Sequence, residues 1–222
     1  STPDHAASRL RARRGGLPCR DVPIHYVALG DSAGTGFGVP AGAGYVDRVF
    51  SRLRRLDPSA RLQNLARNGA TTDVLRTGPV DAALAARPTV CSLFIGGNDL
   101  WRGVSSSQFG RNLEAIADRL DRARCPVVVG TLPNLAHAPA AGLAERFLGI
   151  ARAQIEDRIV EYNHRVRRLA VDHSYALVDL FGATRLDEHP EYFAPDGFHP
   201  SAAGHEAWSS VIWPAFAALH PA

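Results

Sequence analysis

VALGDSAGTGFG, residues 27–38, runs from an apolar stretch directly into a glycine-rich turn that carries one serine. Extended backwards, the apolar part reads IHYVALG (24–30), and its β-branched and aromatic side chains predict a buried strand. A strand ending in such a turn can be an ordinary reversal, a cradle for a phosphate, or a mount that holds Ser32 up as a nucleophile. The phosphate reading fits poorly. Gly34, Gly36 and Gly38 give G-x-G-x-G instead of G-x-G-x-x-G, and the chain contains no lysine to play the P-loop part.

Downstream, strand-like and helix-like segments alternate. GYVDRVFSRLRRL (44–56) places Val46, Val49, Phe50, Leu53 and Leu56 at helical spacing. ARLQNLA (60–66) alternates like a strand, and TDVLRTGPVDAALAA (72–86) is helical with a break expected at Gly78-Pro79. TVCSLFIGG (89–97) and PVVVGTL (126–132) are apolar enough for buried strands. Between them SQFGRNLEAIADRLDRA (107–123) is an amphipathic helix, with Ser107 as its expected N-cap. Residues 133–149 are expected to form a loop with a short helix. A long helix over 154–173, a strand over 175–181 and a helix over 201–219 capped by Ser201 complete the chain. Five short strands separated by helices imply one parallel sheet covered on both faces, with right-handed crossovers. Chemistry in such a sheet gathers where loops leave the carboxyl ends of the strands.

Bulk properties agree with one domain. The chain has 222 residues, 45% of them hydrophobic and 21% charged, ordinary for a soluble globular protein. Residues 1–22 are polar and arginine-rich and are expected to form a poorly ordered arm; residues 23–222 form the domain. A net charge of +3 is too small to argue for a nucleic-acid partner, and the arginine clusters RLRARR (9–14) and RLRR (52–55) read as a solvated arm and a helix face. No stretch is apolar and long enough to span a membrane, and residues 1–20 hold no signal-peptide core. A cytoplasmic location is expected, or a secreted one if a leader has been removed. The expected oligomeric state is a monomer. Cys19, Cys91 and Cys125 match neither a zinc motif nor a disulfide framework, and Cys91 reads as a core residue.

Four loops at the expected carboxyl edge carry chemistry-bearing residues. The first is GDSAGTG itself. In the second, NLARNGATT, Gly69 could let a backbone N–H approach a ligand closely, or could serve a plain Asn-Gly turn. In the third, FIGGNDLW, the Asn98 amide could donate to a developing oxyanion, or could cap a helix. In the fourth, APDGFHPSAAGH, Asp196 and His199 stand three apart, a spacing that lets a carboxylate orient an imidazole and leave its other nitrogen free as a base. His205 invites a metal reading with Asp196 and His199, but a helix-surface or supporting role suits it better, because no further ligand lies nearby in sequence. Together the loops supply a nucleophile, oxyanion donors and a base with its orienting acid. That combination turns Ser32 into the candidate nucleophile. Trp101, Arg102, parts of residues 133–149, Tyr192 and Phe193 should border the substrate pocket.

GDSAGTG, RNGATT, GGND and DGFH, in that order across residues 30–199, resemble the four blocks of the SGNH hydrolases, also called the GDSL esterase/lipase family. The resemblance implies a three-layer α/β/α domain with a five-stranded parallel sheet of flavodoxin-like order 2-1-3-4-5. It implies a serine hydrolase of carboxylic esters. Ser32 is then the nucleophile, Asp196 and His199 complete a triad, and Ser32, Gly69 and Asn98 form the oxyanion hole. No cofactor or metal is implied. Arg67-Asn68 stand where many members carry small residues, which bears on substrate preference more than on chemistry. Esters of short to medium acyl chains are the expected substrates. Carbohydrate O-deacetylation, thioester or lysophospholipid hydrolysis, and a non-catalytic ligand-binding domain are the alternatives.

Overall fold

A computed structural model describes residues 22–220, so the expected N-terminal arm lies outside the described residues except at its last position. Five strands form the sheet: β1 (His25–Gly30), β2 (Arg61–Asn64), β3 (Val90–Phe94), β4 (Val127–Gly130) and β5 (Ala176–Val178). All neighbours pair in parallel, in the order β2-β1-β3-β4-β5. The two-residue period of a strand divides the core into two layers. Val27 and Leu29 of β1 face one side, and Tyr26 and Ala28 face the other.

The first side is covered by α3 (Thr72–Arg76), α4 (Pro79–Ala86), α6 (Ser106–Leu120) and α8 (Arg152–Asp172), which contribute Leu75, Val80, Phe109, Leu113, Ile159 and Tyr162. Phe109 stacks on Tyr162 with ring centroids 4.0 Å apart. The second side is covered by α2 (Tyr45–Leu56) and α10 (Ala202–Leu219), through Tyr45, Val49, Leu53, Ile212 and Phe216. Each of these large side chains is essentially sealed from solvent, and such burial stabilises by about 1.5–3 kcal/mol per side chain. Four short helices sit in the loops: α1 (Ser32–Thr35), α5 (Gly97–Trp101), α7 (Pro139–Leu148) and α9 (Leu180–Ala183). Among the described residues, no helix is long and apolar enough to cross a membrane.

The break expected at Gly78-Pro79 is real: Pro79 opens α4 at a position that needs no N–H partner. Three boundaries differ from expectation. Ser105, not Ser107, caps α6, because Ser105 has the extended backbone that a cap requires and its hydroxyl accepts from the Gln108 N–H at 3.2 Å. The stretch 133–149 holds more helix than expected, with a 3₁₀ turn over Leu135–His137 ahead of α7. The last strand is cut to three residues, since Asp179 already caps α9 through the Gly182 N–H.

Candidate active site

Ser32 stands on a tight strand–turn–helix mount. β1 ends at Gly30, and Asp31 caps α1 by accepting the Ala33 N–H at 3.1 Å, which braces the loop. The Ser32 carbonyl accepts from the Phe37 N–H at 3.0 Å and from the Thr35 hydroxyl at 2.9 Å, so the residue is clamped from its carboxyl side. With its backbone so held, Ser32 Oγ lies 2.8 Å from His199 Nε2. Burial pushes the Asp31 carboxyl up to about 6, against the pull of the Ala33 N–H and of His199.

The imidazole is held from its other side. His199 Nδ1 lies 2.6 Å from Asp196 Oδ2. The second Asp196 oxygen accepts the backbone N–H groups of Phe198 and His199 at 2.9 and 3.0 Å. Burial works to raise the Asp196 pKa, but the bonds from His199 and Phe198 prevail and hold it below the usual carboxylate range. The loop closes on itself through Gly197 N–H to the Ala194 carbonyl and Ala194 N–H to the His199 carbonyl, both 2.8 Å. It is also tied to the start of α7 by the Ala140 N–H, which donates to the Gly197 carbonyl at 3.0 Å. An ionised carboxylate only accepts, so Nδ1 carries the proton and Nε2 is left to accept from the Ser32 hydroxyl.

Gly69 and Asn98 come from the loops after β2 and β3, the two strands that flank β1, so all three loops emerge side by side. Gly69 has φ +73°, which a side chain would strain, and no partner occupies its N–H or that of Ser32 among the described residues. Asn98 lies in the first turn of α5, where its amide donates one hydrogen to the Ala70 carbonyl at 3.0 Å and keeps the other free of protein acceptors among the described residues. Gly96 makes that turn possible. Its φ is +132°, and a Cβ there would meet Leu132 at 2.9 Å and Phe109 at 3.0 Å. Asp99 is fully buried and accepts the Thr72 hydroxyl at 2.6 Å and the Thr72 N–H at 3.0 Å. Thr72 in turn accepts from Asn112 at 3.0 Å. The ND pair thus divides its work: Asp99 bolts α5 to α3, and Asn98 is presented at the edge.

An apolar cavity opens beside Ser32 and His199. Leu132, Leu135, Leu186, Phe193, Phe198 and Trp208 contribute to its lining, as does Tyr192. Trp101 and Arg102, expected at the pocket, fall outside this lining. Trp101 packs edge-on against Phe198 at 5.7 Å, and exposed Arg102 donates to the Gly69 carbonyl at 3.0 Å. Trp101 thus stands behind a lining ring, and Arg102 on the Gly69 loop beside the cavity. Phe37 covers the His199 ring at a centroid distance of 4.6 Å.

His205 departs from the helix-surface expectation. It is wholly buried on α10, and its Nδ1 accepts the Tyr45 N–H at 3.2 Å. No group of three His, Cys, Asp or Glu side chains converges on a common point among the described residues, Asp196, His199 and His205 included. Burial, reinforced by Arg48, pushes His205 down to about 4. The unfolded chain takes up this proton near pH 6.5, so the stability contributed by neutral His205 is full above that value and is lost as pH falls toward 4. Between pH 7 and 4.5, His205→Asn is expected to lose about 2–3 kcal/mol less stability than the native chain. Urea unfolding at both pH values measures the difference, and equal losses would refute it.

The profile of the GDSL-like lipase/acylhydrolase family matches residues 28–207, from the strand before Ser32 to beyond His199. The chain belongs to this GDSL family. No curated protein matches it. Among solved structures, TesA is 23% identical with a TM-score of 0.71, over 88% of this chain and 99% of its own. A putative GDSL-like lipase from Parabacteroides merdae is 19% identical with a TM-score of 0.73, over 86% and 94%. Axe2, an acetylxylan esterase from Geobacillus stearothermophilus, is 20% identical with a TM-score of 0.68, over 90% and 94%. At these identities the likeness concerns the fold, including the expected strand order.

Of the residues singled out from the GDSL sequence, Ser32, His199 and Asp196 form one hydrogen-bonded line, and Gly69 and Asn98 stand on the adjoining loops. Phe37, Phe198 and Leu132 were not singled out, whereas Pro133 and Leu135 fall in the stretch 133–149 expected at the pocket. Only the glycines around Phe37 marked it as a turn residue, and nothing local reveals which ring it will cover.

Proposed function

We propose that this GDSL-family protein is a serine hydrolase of carboxylic esters, working through an acyl-enzyme on Ser32. The line Ser32 Oγ–His199 Nε2–Asp196, at 2.8 and 2.6 Å, carries this reading. His199 takes the Ser32 proton as Oγ attacks the ester carbonyl, and Asp196 stabilises the imidazolium that forms. The Ser32 and Gly69 N–H groups and the Asn98 amide bind the oxyanion. His199 then protonates the departing alkoxide, and water repeats the sequence on the acyl-enzyme. No step requires a cofactor.

The apolar cavity beside Ser32 favours an acyl chain of short to medium length. Hydrolysis of nitrophenyl esters of increasing chain length, with and without chelator, tests both parts. Activity that survives chelation and peaks above acetate is expected. A peak at acetate would move the substrate toward O-acetyl glycans, the kind of substrate named for Axe2. No turnover of any ester would sink the proposal. Asn98→Ala is expected to lower kcat by about 10²–10³ with KM nearly unchanged, because its free amide hydrogen would bind charge present only in the transition state. Steady-state kinetics would show instead a raised KM and intact kcat if Asn98 binds the ground state.

A further inference from the structure

Two thiols meet far from the catalytic edge. Cys91 is the second residue of β3 and fully buried; Cys125 lies in the turn leading into β4 and is half-buried. Their sulfur atoms are 3.7 Å apart although the residues are 34 apart in sequence. The backbone around them is fixed. The Cys91 N–H donates to the Pro126 carbonyl at 3.0 Å, and the Tyr175 hydroxyl pins the preceding turn by donating to Ala117 and Asp121 at 3.1 and 2.9 Å. The partly exposed cysteine thus stands toward solvent, and the sulfur of the buried one is in contact with its own. That is the arrangement of an attacking and a resolving cysteine.

We infer that Cys91 and Cys125 form an oxidation site that a hydroperoxide converts to an intramolecular disulfide. The Cys125 thiolate attacks the peroxide O–O bond, forming an S–O bond and releasing hydroxide (or alkoxide). The Cys91 sulfur then displaces the hydroxyl from the sulfenic acid, giving the S–S bond. The thiol protons end on the two departing oxygens, so two thiols and one hydrogen peroxide yield one disulfide and two waters. Two electrons pass from the sulfur pair to the peroxide. The Cys91 hydrogen bond holds the Cys125 thiol below its ordinary range, whereas that bond and burial raise Cys91, so Cys125 is the residue that attacks first. Closing the pair requires an approach of roughly 1.7 Å to reach the S–S bond length.

The bond would close a loop containing α5 and α6, and it lies at the amino ends of β3 and β4. It should therefore constrain the unfolded chain and leave the edge with Ser32 and Asn98 undisturbed. The test uses the full chain carrying Cys19→Ser, which removes the third thiol. Stoichiometric hydrogen peroxide, followed by alkylation and peptide mapping, is expected to give a Cys91–Cys125 linked peptide and a monomer lighter by two hydrogens. The melting temperature should rise by about 5–10 °C and return on treatment with dithiothreitol, with ester turnover unchanged. Adding Cys125→Ser, or separately Cys91→Ala, should abolish the linked peptide and the rise. Over-oxidised Cys125 beside free Cys91, a disulfide between two chains, or two unreacted thiols would each overturn the inference.

Discussion

Ser32→Ala is expected to lower kcat for a nitrophenyl ester by about 10⁴–10⁶ while leaving the fold intact. The substitution deletes one oxygen atom, and the only hydrogen bond to that atom among the described residues is from or to His199 Nε2. The contacts that shape the mount involve the Ser32 carbonyl and the Asp31 carboxylate, and both survive. The Ser32 N–H also survives, and with Gly69 and Asn98 it leaves an oxyanion site that could still assist direct attack by water. Residual turnover above the uncatalysed rate is therefore expected rather than none. A fluorophosphonate probe should label the native chain at Ser32 alone, and the variant nowhere. Comparable kcat in the variant, or a label on another serine, would refute the assignment of Ser32 as nucleophile.

How far the sequence spoke depended on the distance between cause and effect. The strand–turn–serine unit of residues 27–38 is local, so its glycines and its serine could be read directly. The same holds for DGFH, where a three-residue spacing in a turn brings Asp196 to His199. Alternating apolar segments were enough to expect a parallel sheet, but the strand order came from the resemblance to known hydrolases, because periodicity says nothing about which strands are neighbours. What stayed illegible is tertiary. The Asp99–Thr72–Asn112 chain joins three separate elements, and nothing in GGND announces that Asp99 points inward while Asn98 faces the edge. His205 reads from sequence as either a helix-surface or a supporting residue, and only its contact with the Tyr45 N–H of α2 shows that the imidazole is enclosed. Trp101 and Arg102 stand close to Asn98 in sequence, yet they meet the site only through Phe198 and the Gly69 carbonyl and do not line the cavity.

Asp196→Asn should cost about 10⁴ in kcat without loss of stability, whereas Asp196→Ala should cost both. The difference follows from the two oxygens of this carboxylate. Oδ1 accepts the Phe198 and His199 N–H groups and so shapes the loop. Oδ2 faces His199 Nδ1 at 2.6 Å and so sets the tautomer. In the asparagine variant the amide oxygen can keep the two backbone bonds, which directs the NH₂ group at Nδ1. Nδ1 must then accept, the ring proton moves to Nε2, and the nitrogen facing Ser32 can no longer take its proton. The loop is preserved and the base is lost. In the alanine variant the two solvent-exposed backbone donors also lose their acceptor, which costs roughly 0.5–1.5 kcal/mol and lowers the melting temperature by a few degrees. Steady-state kinetics and thermal unfolding of both variants separate the two functions. Near-native kcat in Asp196→Asn would mean that His199 is oriented without the carboxylate, and the site would then operate as a Ser32–His199 dyad with a backbone carbonyl steering the imidazole.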